Sequence, residues 1–225
     1  LTHVLNTVQT HEPTLSTDDI RIFDDILPAD VFARLRRYIN GLSFRGIHAD
    51  GQKKAWRVGD GDPLVGPHFG PAPAGAPVAD ESSMVRLWSE IENRGRGGGP
   101  VAEFQGLAAS PWVYPDGTGL GPHTDNQPGY AGSCAYYLHE DWHVTQGGLL
   151  VVFDPATATK HGDEPELPWV DGEELERDRL NSPGHGIVIL PKPNRLVLLS
   201  ARAQHMITTV TRGPRVSIAG FFHRP

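Results

Sequence analysis

The chain has 225 residues, 38% hydrophobic and 21% charged, and glycine with proline fills one position in five, against about 12% in average usage. Such a length suits a single domain whose core needs no disulfide or structural metal, and so many helix breakers exclude a helical bundle in favour of a β-rich domain with long loops. With 20 basic against 27 acidic residues and a formal charge of −7, the composition speaks against a general nucleic-acid or anionic-membrane binder.

Cys134 is the one cysteine, so an internal disulfide and a multi-cysteine zinc site are excluded, which fits a cytoplasmic location. No apolar run approaches the roughly 20 residues of a membrane span. The chain opens at Leu1 without Met, and residues 1–20 lack the basic start and apolar run of a secretory leader. Arginine supplies all but four of the basic residues, the bias of a GC-rich genome.

In chain order, residues 27–42 place Leu27, Val31, Phe32, Leu35, Tyr38, Ile39 and Leu42 on one helical face, with Pro28 at the start and Gly41 at the end. Residues 59–79 hold five glycines and five prolines and are expected to form a long loop, either a binding lid or a plain connection. A second helix is expected over 82–94, where Met84, Leu87, Trp88 and Ile91 recur, with a serine pair as N-cap and Gly95 as the stop. The glycines from 95 to 99 follow a helix and precede none, so they do not read as a phosphate loop.

Beyond Gly99, short apolar runs at 109–114, 133–138, 148–153, 186–190, 195–200 and 216–222 read as strands. An acidic stretch over 154–181 interrupts them, with a short surface helix expected at 173–179. Two helices followed by at least six strands, without helical crossovers, predict an α+β chain: an antiparallel sandwich or jelly roll with helices packed outside.

His123 and Asp125 follow the glycine-rich turn 114–119 at the edge of an expected strand. Alternation sends them to one side, about 7 Å apart, close enough to share an ion. His205, 80 residues beyond Asp125 and just after an apolar strand, is the candidate third ligand. Two imidazoles and one carboxylate on one face of a metal leave the other face open, as in non-haem Fe(II) oxygenases. Arg215 and Ser217 share a face of the last strand. A buried arginine near a metal needs an anionic partner, and the guanidinium fork fits a carboxylate, so a dicarboxylate co-substrate satisfies both demands.

These pieces together, with Tyr136-Tyr137-Leu138, Trp142, Gly147-Gly148, residues 191–196 and Arg215 through Phe222, make residues 101–222 resemble the prolyl-4-hydroxylase type of Fe(II)/2-oxoglutarate dioxygenase. The segment at Leu27-Pro28 is similar to that family's N-terminal helix. The resemblance implies one domain over 1–225, with helical support and loop in 1–100 and a double-stranded β-helix, a cupin-like jelly roll, in 101–225.

It implies Fe(II) held by His123, Asp125 and His205, and 2-oxoglutarate held by Arg215 with help from Tyr137. Tyr114 lines the metal pocket and Ser217 bonds beside Arg215, or else both serve packing. O2 is the co-substrate and ascorbate an admissible accessory. Retention of Asp125, where related halogenases carry a small residue, disfavours halogenation. The expected reaction is oxidation of an unactivated C–H bond in a bacterial small molecule, such as a natural-product intermediate. Hydroxylation is the default, with cyclisation, desaturation or epimerisation as variants. A prolyl residue in a peptide or protein is the alternative substrate, and no nucleic-acid or membrane partner is expected.

A competing motif is His139-Glu140-Asp141-Trp142-His143, which matches the HExxH string of zinc peptidases, with Glu164 and Glu166 as candidate third ligands. Its flanking strands leave little room for the long helix such enzymes use. Trp56, Arg57, Trp112, Arg202 and Phe221 flank the expected site or loop and are candidate substrate contacts, and Cys134 is expected in the core.

Overall fold

The computed structural model describes residues 12–47, 61–70, 82–154 and 185–225. Two short strands, β1 (Leu15–Ser16) and β2 (Ile20–Phe23), precede helix α1 (Ala29–Asn40), and β3 (Arg45–Gly46) and β4 (Leu64–Val65) precede helix α2 (Ser82–Arg96). Then follow β5 (Gly106–Tyr114), β6 (Leu120–His123), β7 (Tyr130–Tyr137), β8 (Leu150–Phe153), β9 (Gly186–Ile189), β10 (Leu196–Ser200), β11 (His205–Ile207) and β12 (Arg215–His223).

The strands form two antiparallel sheets. The larger runs in the order β1, β2, β10, β7, β12, β5, β4, β3, and the smaller in the order β6, β11, β8, β9.

Strand alternation separates two apolar layers in the larger sheet. Leu107, Tyr136, Leu198, Ile218 and Phe222 point outward and pack with Leu35 and Ile39 of α1 and Leu87 and Ile91 of α2. The intervening Tyr137, Val197 and Leu199 point inward, where they pack with Leu150 and Val152 of β8 and Ile189 of β9. The neighbours Tyr136 and Tyr137 thus belong to different cores. No helix among the described residues is long and apolar enough to cross a membrane.

The turn before β10 ties α1 to the sheet. Asn194 adopts a positive φ of 57°, which asparagine tolerates better than most residues, and is buried. Its side-chain oxygen accepts from the Leu27 N–H (3.1 Å) and the Tyr136 hydroxyl (2.7 Å), and its amide donates to the Leu27 carbonyl (2.8 Å). Arg195 next to it makes a two-pronged pair with Asp24, at 2.6 and 2.9 Å, and that guanidinium holds the Asp24 carboxyl below the usual carboxylate range.

Several local expectations need correction. Gly95 does not stop α2 but lies inside it, because a Cβ there would sit 3.0 Å from both Phe104 and Phe222, and glycine lets the helix close onto those rings. Ser82 and Ser83 lie within α2 rather than before it. The described part of the expected 59–79 loop is not all loop: β4 pairs with β5 through Val113 and Trp112, and Phe69 bridges to Ala109. Two-residue strands are too short to show a periodicity, so proline and glycine density hid them. The rest of that loop, the expected helix at 173–179, and Trp56, Arg57, Glu164 and Glu166 lie outside the described residues.

Replacing Ile91, which is fully buried, by alanine is predicted to cost about 2–5 kcal/mol in denaturant titration. Val85→Ala on the exposed side of the same helix should stay within about 0.5 kcal/mol.

Candidate metal centre

β6 and β11 pair in register at His123 and His205, so the two histidines are cross-strand neighbours in the smaller sheet, with ring centroids 4.3 Å apart. Asp125 is not a strand residue. It lies two positions past the end of β6, where the chain turns, so placement by strand alternation is corrected: the turn, not the pleat, brings its carboxylate to the imidazoles.

Asp125 Oδ1 lies 3.9 Å from His123 Nε2, and Oδ2 lies 3.6 Å from His205 Nε2. Both gaps are too wide for hydrogen bonds. They approach the roughly 3 Å that separates donors held about 2.1 Å from one ion at right angles. One ligand atom from each of the three residues falls within 4.8 Å of the other two, and this is the group of metal-binding side chains found among the described residues.

The imidazoles are aimed by the backbone. His123 Nδ1 meets the Gly121 carbonyl at 2.8 Å, and His205 Nδ1 meets the Ala203 carbonyl at 2.9 Å. A carbonyl only accepts, so Nδ1 carries the proton in each neutral ring and Nε2 presents its lone pair to Asp125. This is the orientation that metal-binding histidines take from their outer partners.

Arg215 begins β12 on its inward face and is 1% exposed. Its guanidinium lies 5.1 Å from the Tyr114 ring and 5.0 Å from the Tyr137 ring, and it donates to Ser217 Oγ at 3.1 Å. Tyr114 pairs with Arg215 across β5, and Tyr137 pairs with Ser217 across β7, so register alone gathers all four sequence-derived residues. No carboxylate among the described residues pairs with Arg215. Its Nε and the Tyr137 hydroxyl are both buried without a hydrogen-bond partner. Burial pushes the Tyr137 phenol up, against the opposing pull of the Arg215 charge.

Glycine and aromatic side chains shape the space around Arg215. Gly148 has a φ of +61°, and a Cβ there would lie 2.9 Å from Arg215 Cδ and 3.2 Å from the Trp142 ring. Trp142 is held by a bond from Nε1 to the Gly147 carbonyl at 2.9 Å. The glycine pair visible in the sequence therefore makes room for the arginine stem.

The HExxH string is not on a helix. Residues 139–143 form an irregular connection after β7. His143 is exposed and caps a single 3-10 turn at Val144–Gln146, while Glu140 pairs with Arg36 at 2.7 Å in solvent. His139 is buried against Tyr137 and Trp142. Its Nε2 donates to the Pro191 carbonyl, and its Nδ1 accepts from the Val216 N–H at 3.4 Å, an arrangement that requires the neutral ring.

Of the other sequence candidates, Cys134 is buried as expected, and Arg202 is exposed and paired with Asp19 at 3.0 Å. Trp112 and Phe221 share the inward face with Arg215. His139 escaped sequence reasoning as a structural clasp, because the competing motif absorbed it.

Burial pushes the His139 pKa down to about 4, and the Arg215 charge acts in the same direction. Between that value and the ordinary 6.5 the unfolded chain binds more protons than the fold, so stability should fall as pH drops through this window. His139→Gln should flatten that part of the stability profile, removing up to about 3 kcal/mol of pH dependence.

A sequence search of curated proteins returns no match. Among solved structures, a Pseudomonas putida prolyl-4-hydroxylase is similar at 19% identity, over 93% of this chain and 94% of that one, with a TM-score of 0.56. A Trichoplax adhaerens prolyl hydroxylase, solved with a hypoxia-inducible-factor peptide fragment, is similar at 18% identity over 92% and 84%, with a TM-score of 0.60. The epimerase SnoN, solved with Fe3+, alpha-ketoglutarate and nogalamycin RO, is similar at 18% identity over 92% and 82%, with a TM-score of 0.56. These likenesses are to a shared fold, the double-stranded β-helix with helices outside. The model of the 2OG-Fe(II) oxygenase superfamily matches residues 109–223, which span the paired histidines, Asp125 and Arg215, and the chain belongs to that superfamily as an Fe(II)- and 2-oxoglutarate-dependent oxidoreductase.

Proposed function

We propose that the protein oxidises an unactivated C–H bond of a small organic molecule, with Fe(II) bound by His123, Asp125 and His205 and 2-oxoglutarate anchored by Arg215. The observation that carries this reading is the buried guanidinium with no carboxylate partner among the described residues and an unbonded Nε, beside the buried phenol of Tyr137. A charge so placed is costly unless a ligand completes it. The distal carboxylate of 2-oxoglutarate supplies the missing anion, and Arg215 and Tyr137 supply the missing donors. Fe(II), Asp125 and dianionic 2-oxoglutarate sum to one negative charge, which Arg215 neutralises.

When bound, the iron and its co-substrate supply the oxidising power, and 2-oxoglutarate and O2 are converted to succinate and CO2 as the substrate is oxidised. The chain's own part is to bind, orient and exclude water. Gly121 and Ala203 fix the tautomers of the two imidazoles. Tyr114 and Tyr137 flank the guanidinium with apolar rings, which strengthens its pairing with a carboxylate by keeping water away. Ser217 fixes the fork from the other side.

A small-molecule substrate is favoured by the acidic, arginine-biased chain and by the kinship in fold with an epimerase solved with nogalamycin RO. A prolyl residue in a peptide remains the second reading, motivated by the fold shared with prolyl hydroxylases.

Arg215→Ala should weaken 2-oxoglutarate binding by about a hundredfold or more in calorimetry, with iron binding retained. Unchanged affinity would remove Arg215 from the anchor role. Succinate release under air in the presence of small-molecule candidates, with oxidised product seen by mass spectrometry, tests the reaction class. Oxygen gain only on prolyl peptides would reverse the order of substrates.

A further inference from the structure

Beyond the anchor, the inward face of β12 continues through Ser217, Ala219, Phe221 and His223. Phe221 pairs in register with Ser133 of β7. The register slips after Phe222, so His223 pairs with Tyr130 and Ala131 is skipped. That slip brings Tyr130 onto the same face. Its ring stacks on Phe221, with centroids 4.8 Å apart and planes at 19°, and His223 meets it edge-on at 5.3 Å.

Ser133 beside this stack is 4% exposed, and its Oγ has no hydrogen-bond partner; the buried Nε2 of His223 has none either. A buried hydroxyl without a partner costs stability and points to a ligand that completes it. Between the stack and the Arg215 end, Ser110, Ala219 and Ala135 pair across three strands and leave a low floor. Residues 124–129 join the end of β6, beside Asp125, to Tyr130 at the start of β7, so a short stretch of chain links the triad to the stack. None of the side chains on this stretch of the face is acidic, lysine or arginine.

We propose that Tyr130, Phe221 and Ser133 form the substrate platform, and that it takes a flat, uncharged ring compound bearing a carbonyl or hydroxyl oxygen. The ring lies against the stacked aromatics, and Ser133 bonds the oxygen, with His223 at the edge. This inference rests on the reading of the triad as the iron site and names the class of molecule that site would oxidise.

The test uses the full chain loaded anaerobically with Fe(II) and 2-oxoglutarate, with 1,4-dihydroxyanthraquinone as a fluorescent ring probe and a blocked proline-containing tripeptide as comparator. Native protein should bind the probe and not the tripeptide. Phe221→Ala should weaken the probe about tenfold and Ser133→Ala about fivefold, with 2-oxoglutarate affinity unchanged in both. Phe221→Leu replaces the alanine variant if that one does not fold, and Ser133→Ala, a smaller change, keeps the test decisive.

Probe affinity equal in native and variant proteins overturns the platform, as does binding of the tripeptide alone. Native protein that binds 2-oxoglutarate but no probe overturns the platform and leaves the oxygenase reading standing. Native protein that binds no 2-oxoglutarate overturns both.

Discussion

Arg215 is among the most deeply buried of the described side chains, and no carboxylate among the described residues meets its charge. Taking a guanidinium out of water costs several kcal/mol even after relaxation. Two aromatic rings and one hydroxyl offset part of that cost, each by about 0.5–2 kcal/mol, and the remainder is a standing demand for an anion. The demand is directional, because Tyr114, Tyr137 and Ser217 occupy the flanks and Gly148 leaves space for the stem rather than for another side chain.

The sheets make that arrangement rigid. β12 lies between β5 and β7, paired with β5 from Arg215 to His223 and with β7 from Ser217 onward with one slip after Phe222, so the residues around Arg215 are fixed by backbone register rather than by side-chain preference. The smaller sheet does the same for the two imidazoles, and only Asp125 reaches its place from a turn. Alternation then divides the side chains: outward residues pack against the helices, while inward residues build the core between the sheets and line the candidate site. The adjacent tyrosines 136 and 137 illustrate the division. One bonds Asn194 to hold α1, and the other sets its buried phenol beside Arg215.

Much of this was legible in the sequence. The two amphipathic helices and the longer strands follow from periodicity, and the donor types His123, Asp125, His205 and Arg215 announce their chemistry. What could not be read has physical causes. β3 and β4 are two residues long, and β6 and β11 carry the histidines in runs of four and three, too short for a pattern to rise above composition. Gly95 looks like a stop because glycine usually ends helices, but here the missing side chain serves the packing of Phe104 and Phe222. His139 looks like a metal ligand by spacing, and only the irregular backbone around it reveals a clasp between Pro191 and Val216. The stacking of Tyr130 on Phe221 depends on a register slip, which no local sequence signal marks.

In the proposed reading, chemistry and specificity divide along a single strand: Arg215 and Ser217 at its start serve the dicarboxylate, and Phe221 and His223 at its far end serve the substrate, with Ala219 between them. The central claim concerns the first end and the triad together, and one measurement addresses it. Anaerobic titration of the protein with Fe(II) and then 2-oxoglutarate should produce a metal-to-ligand charge-transfer band that saturates with stoichiometric co-substrate. Iron bound stoichiometrically, with no such band when 2-oxoglutarate is in excess, would contradict the account.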